Sequence, residues 1–137
     1  MKPNIVARYV GYVLLGSMLF ACASSVITQP ATLTPLVDAS TSNAPRLRVI
    51  TGTIVTLDKG FRRSIPQNSL WRRVGTLPQG EVYRPVGLVF TIEGRQVHEA
   101  YLVLNDSTLA GFYLPGESAF SPLSHPPKLT IKKENND

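Results

Sequence analysis

Cysteine occurs once in the 137 residues and histidine twice. One cysteine excludes an internal disulfide framework, and so few ligand-type side chains argue against a structural zinc site. Acids are scarce as well: 9 Asp+Glu stand against 14 Lys+Arg, and only 17% of the chain is charged. From Tyr9 to Val37 there is no Asp, Glu, Lys or Arg at all. No window sustains apolar residues at i, i+3, i+4 and i+7, which excludes a helical bundle. Gly-x-Ser-x-Gly elbows, phosphate-cradling glycine loops, internal repeats and metal-spaced His/Asp/Glu clusters are all missing. What is present is a 43% hydrophobic chain. That is too apolar for global disorder and long enough for one domain.

The N-terminus carries an address. Met1–Arg8 holds Lys2 and Arg8 and no acid; Val10–Phe20 is apolar, and small residues follow. This is the order of a secretory signal. The basic end stays on the cytoplasmic side while the apolar run partitions into the bilayer. Val10–Thr28 also approaches the ~20 residues that cross a bilayer, so an uncleaved anchor stays open. The run ends Leu19-Phe20-Ala21-Cys22. That sequence resembles the lipobox of bacterial lipoprotein precursors, with a branched apolar residue at −3, a small residue at −1 and then the cysteine. The resemblance implies removal of residues 1–21 as a signal peptide. It implies Cys22 as the lipidated residue and a membrane partner reached through that anchor. Ala23 and Ser24 follow Cys22. In that family the absence of an Asp there implies the outer membrane, facing the periplasm.

Residues 22–45 contain Pro30, Pro35 and Pro45, many small and hydroxylated residues, and one charge, Asp38. We expect a lipidated flexible tether, because so little apolar surface offsets the entropy of ordering; the alternative is an extended arm packed on its own domain over Val26-Ile27 and Leu33–Val37. Its typical span is about 25–30 Å, and about 80 Å when extended. Residues 46–133 differ. All eight aromatics beyond Cys22 fall between Phe61 and Phe120. Alternation and β-branched residues predict strands over Leu47–Leu57, Leu70–Thr76, Glu81–Tyr83, Val86–Ile92, Val97–Leu104, Leu109–Leu114 and Leu129–Lys132. The expected fold is mainly β: a small antiparallel meander closing into a barrel or sandwich of about six or seven strands. Residues 134–137 read as a frayed tail.

Two turns set the expected register. A two-residue turn at Gly94-Arg95 pairs Ile92 with Val97, Phe90 with Glu99 and Leu88 with Tyr101. A second at Asp106-Ser107 pairs Val103 with Ala110 and Tyr101 with Phe112. Both faces of the resulting sheet are apolar, so both need covers. The tether, the Phe61–Trp71 region and the tail are the available covers, together with a partner protein.

Chemistry is thin. Glu99 falls on the apolar face in this register, where a lone carboxylate would have a raised pKa; the alternative is a place at the barrel rim or a pair with Arg84 or Arg95. His98, its neighbour, points the other way, so the two form no dyad. His125 lies in an extended Ser124-His125-Pro126-Pro127 loop. We therefore expect no enzyme, no cofactor and no metal. The strongest lead is basic: Lys59, Arg62, Arg63, Arg72 and Arg73 interleave with Phe61 and Trp71, and Arg84 follows Tyr83. Arginine beside an aromatic is the composition of interaction hot spots, and its forked donors suit carboxylate or phosphate; the alternative is a solvated basic rim with Trp71 part of the core. Export removes nucleic acid from the partners. Gly111–Gly116 and Phe120–Leu123 read as a strand end and a loop plugging the barrel mouth, with β-augmentation as the alternative. The expected function is a non-enzymatic envelope lipoprotein, an accessory or adaptor subunit of a larger envelope or secretion assembly. The alternative is a stand-alone periplasmic binder of a glycan, lipid or protein target.

Overall fold

The computed structural model describes residues 25–39 and 42–135. The expected signal peptide and Cys22 lie outside the described residues. The strands are β1 (Gln29–Pro30), β2 (Thr34–Pro35), β3 (Arg46–Val49), β4 (Thr53–Thr56), β5 (Arg62–Ile65), β6 (Leu70–Leu77), β7 (Gly80–Pro85), β8 (Thr91–Glu93), β9 (Val97–Glu99), β10 (Tyr101–Asn105), β11 (Thr108–Leu114), β12 (Ala119–Pro122) and β13 (Ile131–Glu134). The one helical element described is a 3₁₀ turn at Asp58–Gly60. The fold is mainly β and the pairing antiparallel, as the alternation predicts. A nine-stranded sheet runs β1-β12-β11-β10-β7-β6-β3-β13, with β2 also on β6. The hairpins β4–β5 and β8–β9 form two further sheets.

The chain makes more and shorter strands than the six or seven expected. The predicted Leu47–Leu57 strand breaks into β3 and β4 around residues 50–52. The segment expected as a plugging loop is β12, which pairs with β11 from Leu114↔Ala119 to Gly111↔Pro122. The tail also needs correction at its first residue. Glu134 closes β13 opposite Arg46 and accepts a bond from Arg48 Nε. Strand pairing leaves β1 and β13 as the two ends of the large sheet. Just before β13, Thr108 and Lys128 form a single bridge, with Leu109 N donating to Pro127 O at 2.8 Å and Leu129 N to Ser107 O at 2.7 Å.

Two apolar cores lie on the two faces of the central strands. The larger gathers Leu47, Val49, Trp71, Phe90, Leu102 and Phe112, among others. Phe90 links its aromatics, edge-on to Trp71 at 5.3 Å and stacked on Phe112 at 5.8 Å. The smaller holds Leu77, Val82, Val103, Tyr113 and Phe120.

That second core overturns the flexible tether over the part described. Residues 25–39 form an arm on the sheet. Gln29 and Pro30 pair with Phe120 and Ala119, and Thr34 and Pro35 pair with Thr76 and Gly75. Ala31 N donates to Ser118 O and Leu36 N to Val74 O. Ala31 and Leu33 pack on the small core, and Val26 and Ala44 are buried. The physical reason is the sheet rather than the arm. Val82, Val103, Tyr113 and Phe120 would face water without a cover, and burying them offsets the ordering cost that the arm's own composition could not.

Two one-residue effects separate the observed register from the expected one. At the β8–β9 tip three residues, Gly94 to Gln96, lie between Glu93 and Val97, so Ile92 pairs with His98 and Thr91 with Glu99. A one-residue slip exchanges the faces of a strand. In β11 the Asp106-Ser107 turn holds as expected, with Asn105↔Thr108 and Leu104↔Leu109. Ala110 is then a bulge residue, and pairing resumes at Val103↔Gly111 and Tyr101↔Tyr113. The bulge puts Leu109 and Phe112 together in the large core.

Candidate functional site

The basic residues resolve into three places. The first is the β4–β5 hairpin. Lys59 in its turn and Arg62 beside the turn are exposed, and Phe61 packs against the large core. Arg63 lies with its guanidinium 4.5 Å from the Phe90 ring centroid. It covers the aromatic stack.

The second is a cleft of about 590 Å³ lined by Arg73, Glu81, Tyr83, Asn105, Asp106 and Lys133. Arg73 sits across from Tyr83 and pairs with Glu81 at 3.5 Å. Tyr83 OH donates to Glu81 Oε2 at 2.7 Å. Burial, then the Glu81 hydrogen bond and charge, pushes the Tyr83 hydroxyl well above its ordinary value. Glu81 is thereby engaged by both neighbours.

The third is a row on the face opposite Leu47 and Trp71. Glu134 pairs with Arg46, Arg46 with Arg72, and Arg72 with Arg84. Residues directly opposite share a face with Cβ atoms about 4.5–5.5 Å apart. Three arginines therefore stand side by side across β3, β6 and β7, over about 10 Å. Arg48 lies two residues along β3, with Lys132 opposite it. Arg48 is engaged, by Glu134 and by Asn68 O at 2.8 Å. Its guanidinium holds the Glu134 carboxyl below the ordinary carboxylate range. Arg46 and Arg72 differ: the Nε of each is buried without a hydrogen-bond partner. Glu134 stands opposite Arg46, whose charge adds to that of Arg48 in lowering the Glu134 carboxyl. Tyr101 adjoins the end of the row. Burial and the Glu99 charge raise its hydroxyl pKa, and the Arg84 charge opposes them.

The expected patch is thus divided. Arg72 and Arg84 belong together, and Arg73 is on the other face. Trp71 is no surface anchor: it is 0% exposed, and its Nε1 donates to Ser69 Oγ at 2.9 Å. Lys59, Phe61, Arg62 and Arg63 belong to the separate hairpin. Arg46, Arg48 and Lys132 were missed. Arg46-Leu-Arg48-Val49 carried a signal, since alternation puts both arginines opposite two buried residues. Their neighbours across the sheet needed the strand order.

Glu99 is corrected as well. The slip puts it with Thr91 on an exposed edge, where Tyr101 OH approaches at 3.4 Å. His98 turns instead to the Ile92 side and meets Glu117 at 2.6 Å. His125 is exposed. Among the described residues, no His hydrogen-bonds a serine and no group of three ligand side chains could hold a metal. Among them, too, no helix is long and apolar enough to cross a membrane. In comparisons with known proteins, no family model, curated protein or solved structure matches this chain at a significant level.

Proposed function

We propose that the chain is a lipid-anchored, non-enzymatic envelope protein, an adaptor that docks an acidic surface of a larger envelope assembly through Arg46, Arg72 and Arg84. The observation that carries the docking face is the cross-strand row of Arg46, Arg72 and Arg84. Like charges directly opposite destabilise a sheet on their own. A row of them is useful where a partner supplies the carboxylates, since guanidinium forks bind those bidentately. The anchor is supported by the lipobox at Leu19–Cys22 and by the uncharged run before it. The residues after Cys22 favour the periplasmic face of the outer membrane.

We read the fold beneath this face as a six-stranded barrel of β3, β6, β7, β10, β11 and β13. The Thr108–Lys128 bridge, which joins the lead-in to β13 to the start of β11, supports that closure. A stand-alone binder of an anionic ligand is the second reading, favoured by the Arg73 and Lys133 cleft.

Crosslinking in intact cells tests the adaptor. A tagged chain is compared with its Cys22→Ser form and with an Arg46→Ala, Arg72→Ala, Arg84→Ala triple variant. One dominant protein captured by the first and lost from the triple variant is expected. Equal capture by the triple variant, or none above control, overturns the arginine face.

A further inference from the structure

We infer that, once anchored through Cys22, the domain lies flush on the bilayer, with the β8–β9 tip, Ile27 and Val97 against the lipid headgroups. This rests on the lipidation reading above and adds an orientation to it.

The arm sets the distance. Val26 is the first described residue locked into the fold. It is buried against Gly94, where a Cβ would lie 2.5 Å from Val26 Cγ2 and 2.9 Å from Val26 N. Only a glycine lets the arm pass so close to the hairpin tip. From Val26 onward the arm is held by β12 and β6. Cys22 stands four residues before Val26. Those four steps reach at most about 14 Å. A headgroup layer is itself about 5–8 Å thick, from the difference between the whole bilayer and its hydrocarbon core. The leash therefore holds Val26 within about 6–9 Å of the headgroups, in place of the tens of ångströms that a free tether would span.

The surface around this attachment suits lipid. Ile27, next along the arm, is 45% exposed, and Val97, at the base of the tip, is 65% exposed. Ser25, Val26 and Thr28 share a shallow cleft with Arg95, Gln96 and His98, and with Glu117, which is held by His98 at 2.6 Å. The exposed aliphatic side chains can enter the interfacial layer while Arg95, exposed at the hairpin tip, reaches phosphate. Glu93, across from Val97, offsets the Arg95 charge. The covalent leash and the aliphatic contact then hold the orientation, rather than net charge.

The test uses the full-length acylated protein in vesicles of phosphatidylethanolamine and phosphatidylglycerol. Single thiols are introduced as Ile27→Cys, Val97→Cys and Asn105→Cys, and each carries a fluorophore. Asn105 ends β10 at the β11 turn, about 20 Å along β11 from Leu114, which lines the Val26 cleft. A spin-labelled headgroup lipid is expected to quench the labels at 27 and 97 several-fold more than the label at 105. A Gly/Ser insert between Ser24 and Ser25 is expected to abolish the difference. Equal, weak quenching at all three positions overturns the flush orientation, as does quenching that the insert leaves unchanged. Mass spectrometry of the N-terminal peptide separates the two failures, since an unacylated Cys22 refutes the anchor itself.

Discussion

Leu33 occupies the space that a side chain on Gly75 would need. A Cβ there would lie 2.9 Å from Leu33 Cδ1 and closer still to the Thr34 carbonyl oxygen. Backbone cannot yield as a flexible side chain can, so Gly75→Ala is expected to lift the arm at β2. The cost should be about 1–3 kcal/mol, the range for forcing extra atoms into a packed site. Gly116→Ala is the control. A Cβ there meets nothing within 4 Å, and its effect should stay within about 0.5 kcal/mol. Urea unfolding reads the stability, and hydrogen exchange at Leu36 N, bonded to Val74 O, reads the arm. Equal behaviour of the two variants would refute the close packing.

Arg72 is flanked by Arg46 on one strand and Arg84 on the other. Arg72→Gln removes the central charge and keeps much of the stem. It is expected to raise stability by about 0.2–1 kcal/mol at low salt, the scale of a cross-strand pair. Added salt should stabilise the parent protein and bring the two together, because screening weakens exposed repulsion. A loss of stability in Arg72→Gln at every ionic strength would mean that the guanidinium is already compensated within the fold.

Much of this fold was legible because alternation is a local property. The strands around Trp71, Val82 and Val103 lie close to where apolar periodicity puts them. What escaped was set by single residues or by distant ones. One extra residue at the β8–β9 tip moved Glu99 from an apolar face to an exposed edge, and the Ala110 bulge regrouped Leu109 with Phe112. No composition rule distinguishes a two-residue from a three-residue turn at Glu93-Gly94-Arg95-Gln96. The arm was legible only as the alternative to a free tether, for another reason. Ser, Thr and Pro predict a loose chain on their own, and its order comes from the small core it covers. The arginine row needed the neighbours β3, β6 and β7, which lie apart in sequence. Proximity along the chain instead joined Arg72 to Arg73 and Trp71, which face the other way.

Arg63 holds its guanidinium over Phe90, a fully buried ring that also contacts Trp71 and Phe112. A desolvated contact of this kind contributes about 1–2 kcal/mol. Arg63→Ala should lose that amount and also uncover the ring edge. Arg63→Lys should recover part of it. Arg62→Ala, on the exposed side of the same strand, should be nearly neutral. The emission of Trp71, the single tryptophan, reports the change without a label. Identical stability of the Arg62 and Arg63 variants would refute a packing role for Arg63.

Alkaline pH should unfold the protein through Tyr83. Its hydroxyl is buried and donates to Glu81, so in the folded state it keeps its proton well past the ordinary value of 10.0. In the unfolded chain it ionises near that value. A proton bound more tightly when folded stabilises the fold below pH 10, and the contribution is lost as pH rises further. The loss approaches about 1.4 kcal/mol per pH unit for each such group. Tyr101 acts with the same sign, its hydroxyl raised first by burial and then by the Glu99 charge. Urea midpoints measured from neutral pH to above 10 should therefore fall, and Tyr83→Phe should flatten the decline while leaving the Tyr101 share. The Tyr83 share of the tyrosinate absorbance, read as the difference between the parent and Tyr83→Phe, should rise together with unfolding rather than ahead of it. Ionisation of Tyr83 in a protein still folded by far-ultraviolet circular dichroism would show that the Tyr83–Glu81 bond does not hold that proton.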